Sequence, residues 1–410
     1  MDRPAHVLPS PVQPAPLPEV VNHTPWPAQY FQHVDPRGEG FHVLVCRMSY
    51  DLRGLDHEGP APPEPRLMAP EEQTPLCEAD QFLAEPNASS TLQESDFAPY
   101  KPLCDVLVVN VSAHAPGGKP LRRWPAGLRF GLPGSPPAID KRFHVCGPRR
   151  FERGITGWRL GEPQAAVEVP LVYELAAGGP NLVRARDRLE ALQQEPAPDG
   201  ARRQAAAQLL KHLPSPHLPN PIGCGLAPQD WVRAQQAIGA TVSGVPGPQI
   251  EAWQPPCRGQ ADDPVIGLGP IGRWWHPRLE RAGTHDEAWR RTQWPRSPMD
   301  HDYRYWNCAP DDQQIDYPQG GEVLAMGNLL PAHELVAFKL PRQSMRLLVR
   351  LHAGPLALND MHIDTIIVDV AAATLSVVRR ACVSAREPVR KLELGTWGDD
   401  AEVSFGTALP

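Results

Sequence analysis

The densest group of potentially reactive side chains lies in the C-terminal half of the sequence. The group consists of His285, Asp286, His301 and Asp302. Imidazole and carboxylate groups are common ligands of catalytic metal ions, so these side chains could serve a metal-dependent hydrolase. The spacing also fits a structural role, because Thr284 three residues before Glu287 predicts a capping box at a helix start. Asp286 would then lie near the positive end of the helix dipole. We favour this interpretation and keep the hydrolase as the alternative function.

A second group of histidine and carboxylate side chains lies in a predicted strand. Asp360, His362 and Asp364 alternate along the chain, so they share one face of that strand. Such a face is compatible with a metal site and equally with a strand at a sheet edge, which we favour. A serine nucleophile is not supported either, because two prolines after Ser135 block the helix that a nucleophile elbow needs. The sequence therefore indicates a protein that is not an enzyme.

Two glycine-rich segments have the outline of cofactor sites. Residues 267–272 resemble a dinucleotide fingerprint, but no βαβ unit surrounds them, and Pro270 opposes the start of a phosphate-binding helix. Gly117 and Gly118 precede a lysine but lack the rest of a P-loop. We therefore predict neither a cofactor nor a metal.

Aromatic side chains are concentrated in one block of the sequence, interleaved with arginines. The aromatic members are Trp274, Trp275, Trp289, Trp294, Tyr303, Tyr305 and Trp306. Such a block could stack single-stranded nucleic acid, anchor a protein partner, or form a core with arginines at its rim, which we favour for most of these residues. The chain carries 40 basic and 47 acidic residues, a formal charge of -7, and this balance disfavours binding to phosphate backbones. Nucleic acid is therefore not an expected partner.

The composition limits the elements that can position these groups. The chain of 410 residues contains 51 prolines and 33 glycines, which excludes a helical bundle, while 41% hydrophobic residues and 11 tryptophans exclude a disordered protein. Eight widely spaced cysteines indicate mostly buried thiols in a reducing compartment. We find no apolar leader and no apolar run long enough to cross a membrane. We therefore expect a soluble cytoplasmic protein with no membrane partner.

Residue patterns predict a mainly β fold of two packed antiparallel β units, sandwich- or barrel-like, with short inserted surface helices. The predicted strands are 41–51, 104–111, 128–131, 142–146, 168–174, 346–352, 364–370 and 375–379, the last two forming a hairpin. The predicted helices are 184–213, 228–238 and 284–292. We expect a disordered proline-rich tail at 1–20 and a folded body at 21–400. That body has β units at 21–180 and 220–400 and the helical insertion at 184–213 between them.

Several motifs in this order resemble a known family. They include SDFAPYKPLCDVLV at 95–108, APGGKP at 115–120, PLVYE at 170–174, NPIGCG at 220–225, AGTHDEAW at 282–289 and GGE at 320–322. Together these motifs are similar to those of the type VI secretion adaptors catalogued as domain of unknown function 2169. The resemblance runs from about residue 20 to about residue 390.

The motif residues are expected to be structural or to bind a partner. They are Asp96, Pro99, Lys101, Pro102, Asp105, Gly117, Gly118, Asn220, Pro221, Gly223, Trp275, Arg278, Gly283, Thr284, Asp286, Glu287, Trp289, Gly321 and Glu322. We expect Asp96, Lys101 and Asp105 to pair with one another, and the prolines and glycines to fix turns.

The resemblance implies a cytosolic adaptor or chaperone. Such a protein holds a toxic effector, often through the effector's N-terminal spike-tip domain, and helps to load it onto the trimeric spike protein of the secretion machine. The chain departs from the family pattern at 245–251 and in the length of the helical segment at 184–213. If partner choice is encoded there, the client differs from that of its relatives.

Overall fold

The computed structural model describes residues 17–55, 61–154, 157–179, 204, 207, 217–225, 246–258, 263–331, 333–353 and 356–396. The predicted mainly β fold is confirmed. The strands of the first half are β1 (Glu19–Asn22), β2 (Ala28–Val34), β3 (Gly40–Asp51), β4 (Arg66–Leu67), β5 (Gln81–Phe82), β6 (Thr91–Gln93), β7 (Cys104–Val109), β8 (Ser112–His114), β9 (Arg123–Gly131), β10 (Ile139–Cys146), β11 (Phe151–Gly154), β12 (Gly157–Leu160), β13 (Glu168–Pro170) and β14 (Ala177–Gly178).

The second half of the chain also consists mainly of β-strands. Its strands are β15 (Cys224–Gly225), β16 (Ile250–Ala252), β17 (Gln314–Ile315), β18 (Val323–Leu330), β19 (His333–Lys339), β20 (Arg346–Leu351), β21 (Leu356–Asp360), β22 (His362–Asp369), β23 (Thr374–Ser384) and β24 (Val389–Gly395). The helix α1 spans Glu287–Thr292, and single 3-10 turns lie at Pro70–Glu72, Pro116–Gly118, Tyr173–Leu175, Leu279–Ala282, Tyr303–Trp306 and Asp311–Gln313.

Three larger sheets contain most of these strands. The seven-stranded sheet has the order β17-β7-β22-β23-β3-β2 with β4 paired to β3, the five-stranded sheet β16-β10-β9-β18-β19, and the four-stranded sheet β1-β24-β20-β21. Pairing is mostly antiparallel, with β7 parallel to β22 and β1 parallel to β24. Each sheet joins strands from before residue 180 with strands from after residue 220, so both halves of the chain are needed to complete every large sheet.

One hydrophobic core receives side chains from all three sheets. Its members include Leu44, Cys46, Met48, Trp124, Phe130, Phe143, Leu347 and Leu392, each at most 2% exposed. Those of β3 alternate along the strand, as expected for one face of a pleated sheet. The core-facing side of the seven-stranded sheet is therefore apolar.

The other side of this sheet, which we call the polar face, is also buried but carries charge. Arg47, Asp105, Asp364 and Arg380 are each at most 4% exposed. On β3, Arg47 lies between two core residues and so faces away from the core. Because buried charges are costly unless they are paired, other segments must cover this face with matching groups.

Most predicted strands were correct, including the hairpin now seen as β22 and β23. The strand predicted at 168–174 was too long: β13 ends at Pro170, which has no N–H to continue the ladder, and a 3-10 turn follows. The helix predicted at 284–292 begins only at Glu287. The chain enters β1 at Glu19, two residues inside the predicted tail, and residues 1–16 lie outside the described part.

The helices predicted at 184–213 and 228–238 lie outside the described residues, except for Gln204 and Ala207, which are helical. None of the eight cysteines forms a disulfide, and five of them are buried, as the sequence predicted. Within the described residues, no helix has the length and apolar character needed to span a membrane.

Truncation of the core should be costly at Phe130, which is 1% exposed. We expect Phe130→Ala to lower the free energy of unfolding by about 3–5 kcal/mol, because a large cavity would remain. The matched control is Leu132→Ala, since Leu132 is 49% exposed on the same segment, and should change it by no more than about 0.5 kcal/mol. Urea unfolding measures both, and equal losses would contradict this assignment of the core.

Stability should fall as the pH is lowered from about 7 to about 5. Burial is the main cause that lowers the pKa of His33, His42 and His144 below the ordinary histidine value. The folded protein therefore favours the neutral rings, and the unfolded chain takes up more protons as the pH falls. Replacement of all three histidines with glutamine should flatten this slope in urea unfolding; a slope equal to that of the wild type would contradict the prediction.

Candidate functional site

Asp105 of β7 is the most heavily bonded group on the polar face. Its carboxylate is completely buried and accepts the Lys101 Nζ donor at 2.8 Å. It also accepts the backbone N–H groups of Cys308 at 3.0 Å and Ala309 at 3.1 Å, and the Asn307 Nδ2 donor at 3.1 Å. One carboxylate thus joins the sheet to the segment that follows the 3-10 turn Tyr303–Trp306.

Lys101 connects the same carboxylate to the neighbouring strand β22. Its ammonium is 6% exposed and also donates to Thr365 Oγ1 at 2.9 Å. Burial is the largest single influence and acts to lower the pKa of Lys101, but the attraction and hydrogen bond of Asp105, together with further attraction that includes Asp364, raise the pKa overall. Lys101 therefore stays charged, and its charge is matched inside the protein.

Asp96 lies on the same face but has different partners from those predicted. It accepts the Arg47 Nη1 donor at 3.4 Å and the backbone N–H of Cys77 at 2.8 Å, so the expected pairing with Lys101 and Asp105 is wrong for Asp96. Arg380 of β23 holds the adjacent backbone by donating to the carbonyl oxygens of Asp96 and Ala98. Arg47 and Arg380 therefore bind the segment around Asp96, whereas the Lys101 ammonium is bonded to Asp105 and Thr365.

The prolines of this first motif shape the segment between its ionic contacts. Pro99 is buried and its carbonyl accepts the Cys382 Sγ donor at 3.3 Å, while Pro102 is partly buried in the bend before β7. The carbonyl of Lys101 accepts the Tyr317 hydroxyl. Residues 96–105 are thus fixed against three strands of the sheet through both side chains and backbone.

A second buried ion pair anchors the block that starts near residue 270. The Arg278 guanidinium is 0% exposed and binds Glu94 in a bidentate manner, with Nη1 to Oε1 at 2.5 Å and Nη2 to Oε2 at 3.0 Å. It also donates to the carbonyls of Ile271 and Tyr305. Burial is the largest single influence and acts to lower the pKa of Arg278, but the attraction and hydrogen bond of Glu94, together with further attraction that includes Asp105, raise the pKa overall. All three nitrogen atoms of this guanidinium therefore donate to acceptors on Glu94, Ile271 and Tyr305.

The motif at 170–174 and the residues just after it meet the motif at 220–225 around Asn220. Its Nδ2 donates to the carbonyls of Tyr173 at 2.9 Å and Ala177 at 3.1 Å. A Cβ on Gly223 would lie 2.4 Å from Asn220 Nδ2, so only glycine fits there, beside the buried Pro221. Nearby, the Trp275 ring is 2% exposed and packs edge-on to Tyr173 at 5.1 Å. These residues are structural in this arrangement.

Residues 283–302, which we call the platform, lie at the surface. Gly283 has a φ of 90°, and the Thr284 backbone N–H and hydroxyl both donate to Asp300, at 3.0 and 2.7 Å. Asp286, not Thr284, is the N-cap of α1, since its carboxylate accepts Trp289 N at 2.8 Å. The predicted capping box is therefore wrong: the Thr284 hydroxyl is committed to Asp300. Glu287 pairs instead with arginines one turn later in the helix.

The side chains of the alternative hydrolase do not converge. His285 faces the Gly283 carbonyl at 3.1 Å and packs on Trp289, while His301 faces the Ala282 carbonyl at 3.2 Å. Asp286 and Asp302 each cap a helical turn. In the part of the chain that the structure describes, no three His, Cys, Asp or Glu side chains are grouped so as to hold a metal ion. The geometry gives these four residues local structural contacts.

The remaining motif glycines occupy turns. Gly117 and Gly118 have φ values of 65° and 64° in the 3-10 turn Pro116–Gly118, where added side chains would meet open space. Gly321 has a φ of 88°, and its N–H donates to the Leu340 carbonyl at 2.7 Å. The adjacent Glu322 is 8% exposed and accepts the backbone N–H of Gln319 at 2.9 Å.

Sequence reasoning found both partners of the Lys101–Asp105 pair but missed one partner of each of the other buried pairs described above. Arg47, Glu94 and Arg380 belong to no motif that was singled out, although Arg47 was visible as a charged residue within a strand that also carries core residues. Charged residues in otherwise buried strands are rarely left alone, and this signal could have indicated their role. It could not have identified their partners, which lie up to 329 residues away along the chain, as for Arg47 and Ser376.

Comparison with known proteins places the chain in a family. Residues 37–380 match the family described as "Uncharacterized protein conserved in bacteria (DUF2169)". The match covers most of the 410 residues, so the chain belongs to this bacterial family. No curated protein and no solved structure matches the chain.

Removal of the Asp105 charge should be strongly destabilising. Asp105→Asn would leave Lys101 charged and buried without its counter-ion, so we expect the free energy of unfolding to fall by about 3–5 kcal/mol. Asp140→Asn is the matched control because Asp140 is 42% exposed in its pair with Arg142, and it should cost at most about 1 kcal/mol. Urea unfolding measures the free energy of unfolding of both variants. A loss of at most about 1 kcal/mol for Asp105→Asn would show that this pair does not stabilise the fold.

Proposed function

We propose that the protein is an adaptor that binds a toxic effector in the cytosol and promotes its loading onto the trimeric spike protein of a type VI secretion machine. The proposal starts from the family, whose motifs this chain carries in order. It is supported by one structural observation above all: the motif residues are used to fix surface segments to a rigid sheet. Preorganised segments lower the ordering cost of binding a protein partner.

The platform is the surface that we assign to this binding. It carries Trp294 at 68% exposure and Met299 at 56%, both unusually accessible for large apolar side chains. Tryptophan is enriched among the residues that dominate binding energy, and methionine adapts to irregular partner surfaces. Hydrogen bonds fix the backbone beside each of them. Trp289 Nε1 donates to the Arg296 carbonyl at 2.9 Å, two residues after Trp294, and Asp300, which follows Met299, accepts the Thr284 hydroxyl.

The platform also carries exposed charged side chains. Arg290 and Arg291 are 69% and 73% exposed at their side chains and share the single carboxylate of Glu287. Across the whole platform, three arginines (Arg290, Arg291 and Arg296) stand among four acids (Asp286, Glu287, Asp300 and Asp302), so charges of both signs surround the apolar anchors. A protein partner with a small apolar patch and a polar rim of mixed charge would complement this surface.

The function is tested first by co-purification. The full chain should co-purify with the effector and the spike protein encoded beside it, and its deletion should abolish secretion of that effector. Unchanged secretion after deletion would refute the adaptor role.

The binding surface is tested by truncation of its exposed anchors. Trp294→Ala should weaken effector or spike binding by about 2 kcal/mol, roughly thirtyfold in Kd, without changing the unfolding midpoint. Leu335→Ala is the control, since Leu335 is 66% exposed on the edge strand β19 outside the platform. Biolayer interferometry compares the two. An equal effect of both variants, or none from Trp294→Ala, would assign the interface to another face.

A further inference from the structure

A cavity of about 310 Å³ lies beside the start of β20, away from the platform, and shares no residue with it. Its wall includes Gln319, Arg342, Arg346, Asp360, His362 and Arg379. Three of these six side chains are arginines and one is an aspartate. The cavity therefore has more positive than negative charge around it.

Arg379 is the unusual member of this wall. It lies on β23 between Val377 and Ala381, so it points to the core-facing side of the sheet, and it is only 7% exposed. Burial lowers the pKa of Arg379, yet a guanidinium does not lose its proton in a protein. The core thus contains a permanent charge at its border with the cavity.

The hydrogen bonds of Arg379 leave one edge of the guanidinium unused. Nη1 donates to the Met361 carbonyl at 3.1 Å, whereas the buried Nε has no partner among the described residues. No described carboxylate forms an ion pair with Arg379. Asp360 in the same wall is committed to Arg346 at 2.9 Å. A buried charge without a counter-ion is costly, so this arrangement favours an anion supplied from outside.

Arg342 places a second guanidinium at the cavity. Its Nε donates to the Gly320 carbonyl at 3.3 Å, and a Cβ on Gly321 would lie 2.6 Å from that same Nε. The glycine of the motif therefore leaves the space that this side chain occupies. Two guanidinium groups at one cavity match the planar, two-oxygen geometry of a carboxylate.

We propose that this cavity binds a ligand carboxylate, which accepts a hydrogen bond from the guanidinium of Arg379 and is supported by Arg342. The group comes from a small carboxylic acid or from the free C-terminus of a peptide. This site is independent of the adaptor role, and it gives the Gly320–Gly321 turn a function beyond shaping the backbone.

The test measures the thermal unfolding midpoint of the full chain at constant ionic strength. Increasing acetate or trialanine should raise the midpoint to a saturating level, and trialanine amide should not. If acetate and trialanine both raise the midpoint, the site accepts any small carboxylate. If only trialanine raises it, the site is specific for peptide C-termini. Either result supports the proposal. A midpoint that rises with phosphate and not with acetate or trialanine would overturn it.

Three variants connect the effect to this cavity. Arg379→Met should abolish the response while the protein stays folded, because an apolar replacement of a buried charge is well tolerated. Arg342→Gln should weaken the apparent affinity about tenfold and serves if the first variant does not fold. Arg386→Gln, in an exposed pair with Glu39, should respond like the wild type. An unchanged response in Arg379→Met and Arg342→Gln, or no response in the wild type, would overturn the proposal.

Discussion

The buried carboxylate of Asp105 is the constraint on which the surrounding structure depends. It lies on a strand whose other face belongs to the hydrophobic core, so the sheet cannot move away to expose it. Its charge must be neutralised where it is, by Lys101 and by the backbone of residues 307–309. Because these donors come from separate segments, one charge fixes the course of several loops. The ion pair of Arg278 with Glu94 is a second example of a buried charge that is neutralised by a distant segment of the chain.

The charges of the polar face serve the structure. Its carboxylates and cations are bonded to one another and to backbone groups. These bonds join irregular segments to the strands of the sheet, in a protein whose many prolines already restrict such segments. In the adaptor role that we propose, such segments would provide a preorganised surface for a partner. The exception is Arg379, whose charge is buried but not matched among the described residues, and it lies on the core-facing side rather than the polar face.

The sequence was informative about strands and poorly informative about partners. Alternation identified β3, β20 and the hairpin of β22 and β23, because each buries one face in the core. It also predicted the bond between Lys101 and Asp105, which lie four residues apart. It failed where the partner is distant, as for Asp96 with Arg47 and Arg278 with Glu94, since local spacing contains no information on such contacts. The prediction of the helix cap failed for a related reason. Thr284 and Asp286 are both good N-cap residues, but the Thr284 hydroxyl donates to Asp300, sixteen residues away, and Asp286 caps the helix.

The central claim is that the polar face fixes the motif segments before any partner binds. Amide hydrogen exchange of the free protein tests it most directly, because the N–H groups of Cys308 and Ala309 donate to a buried carboxylate rather than to a regular ladder. The network predicts that both amides exchange as slowly as those of β7, and that addition of the effector and spike protein adds protection only on the platform. Fast exchange at Cys308 and Ala309 in the free protein, becoming slow only in the complex, would contradict it.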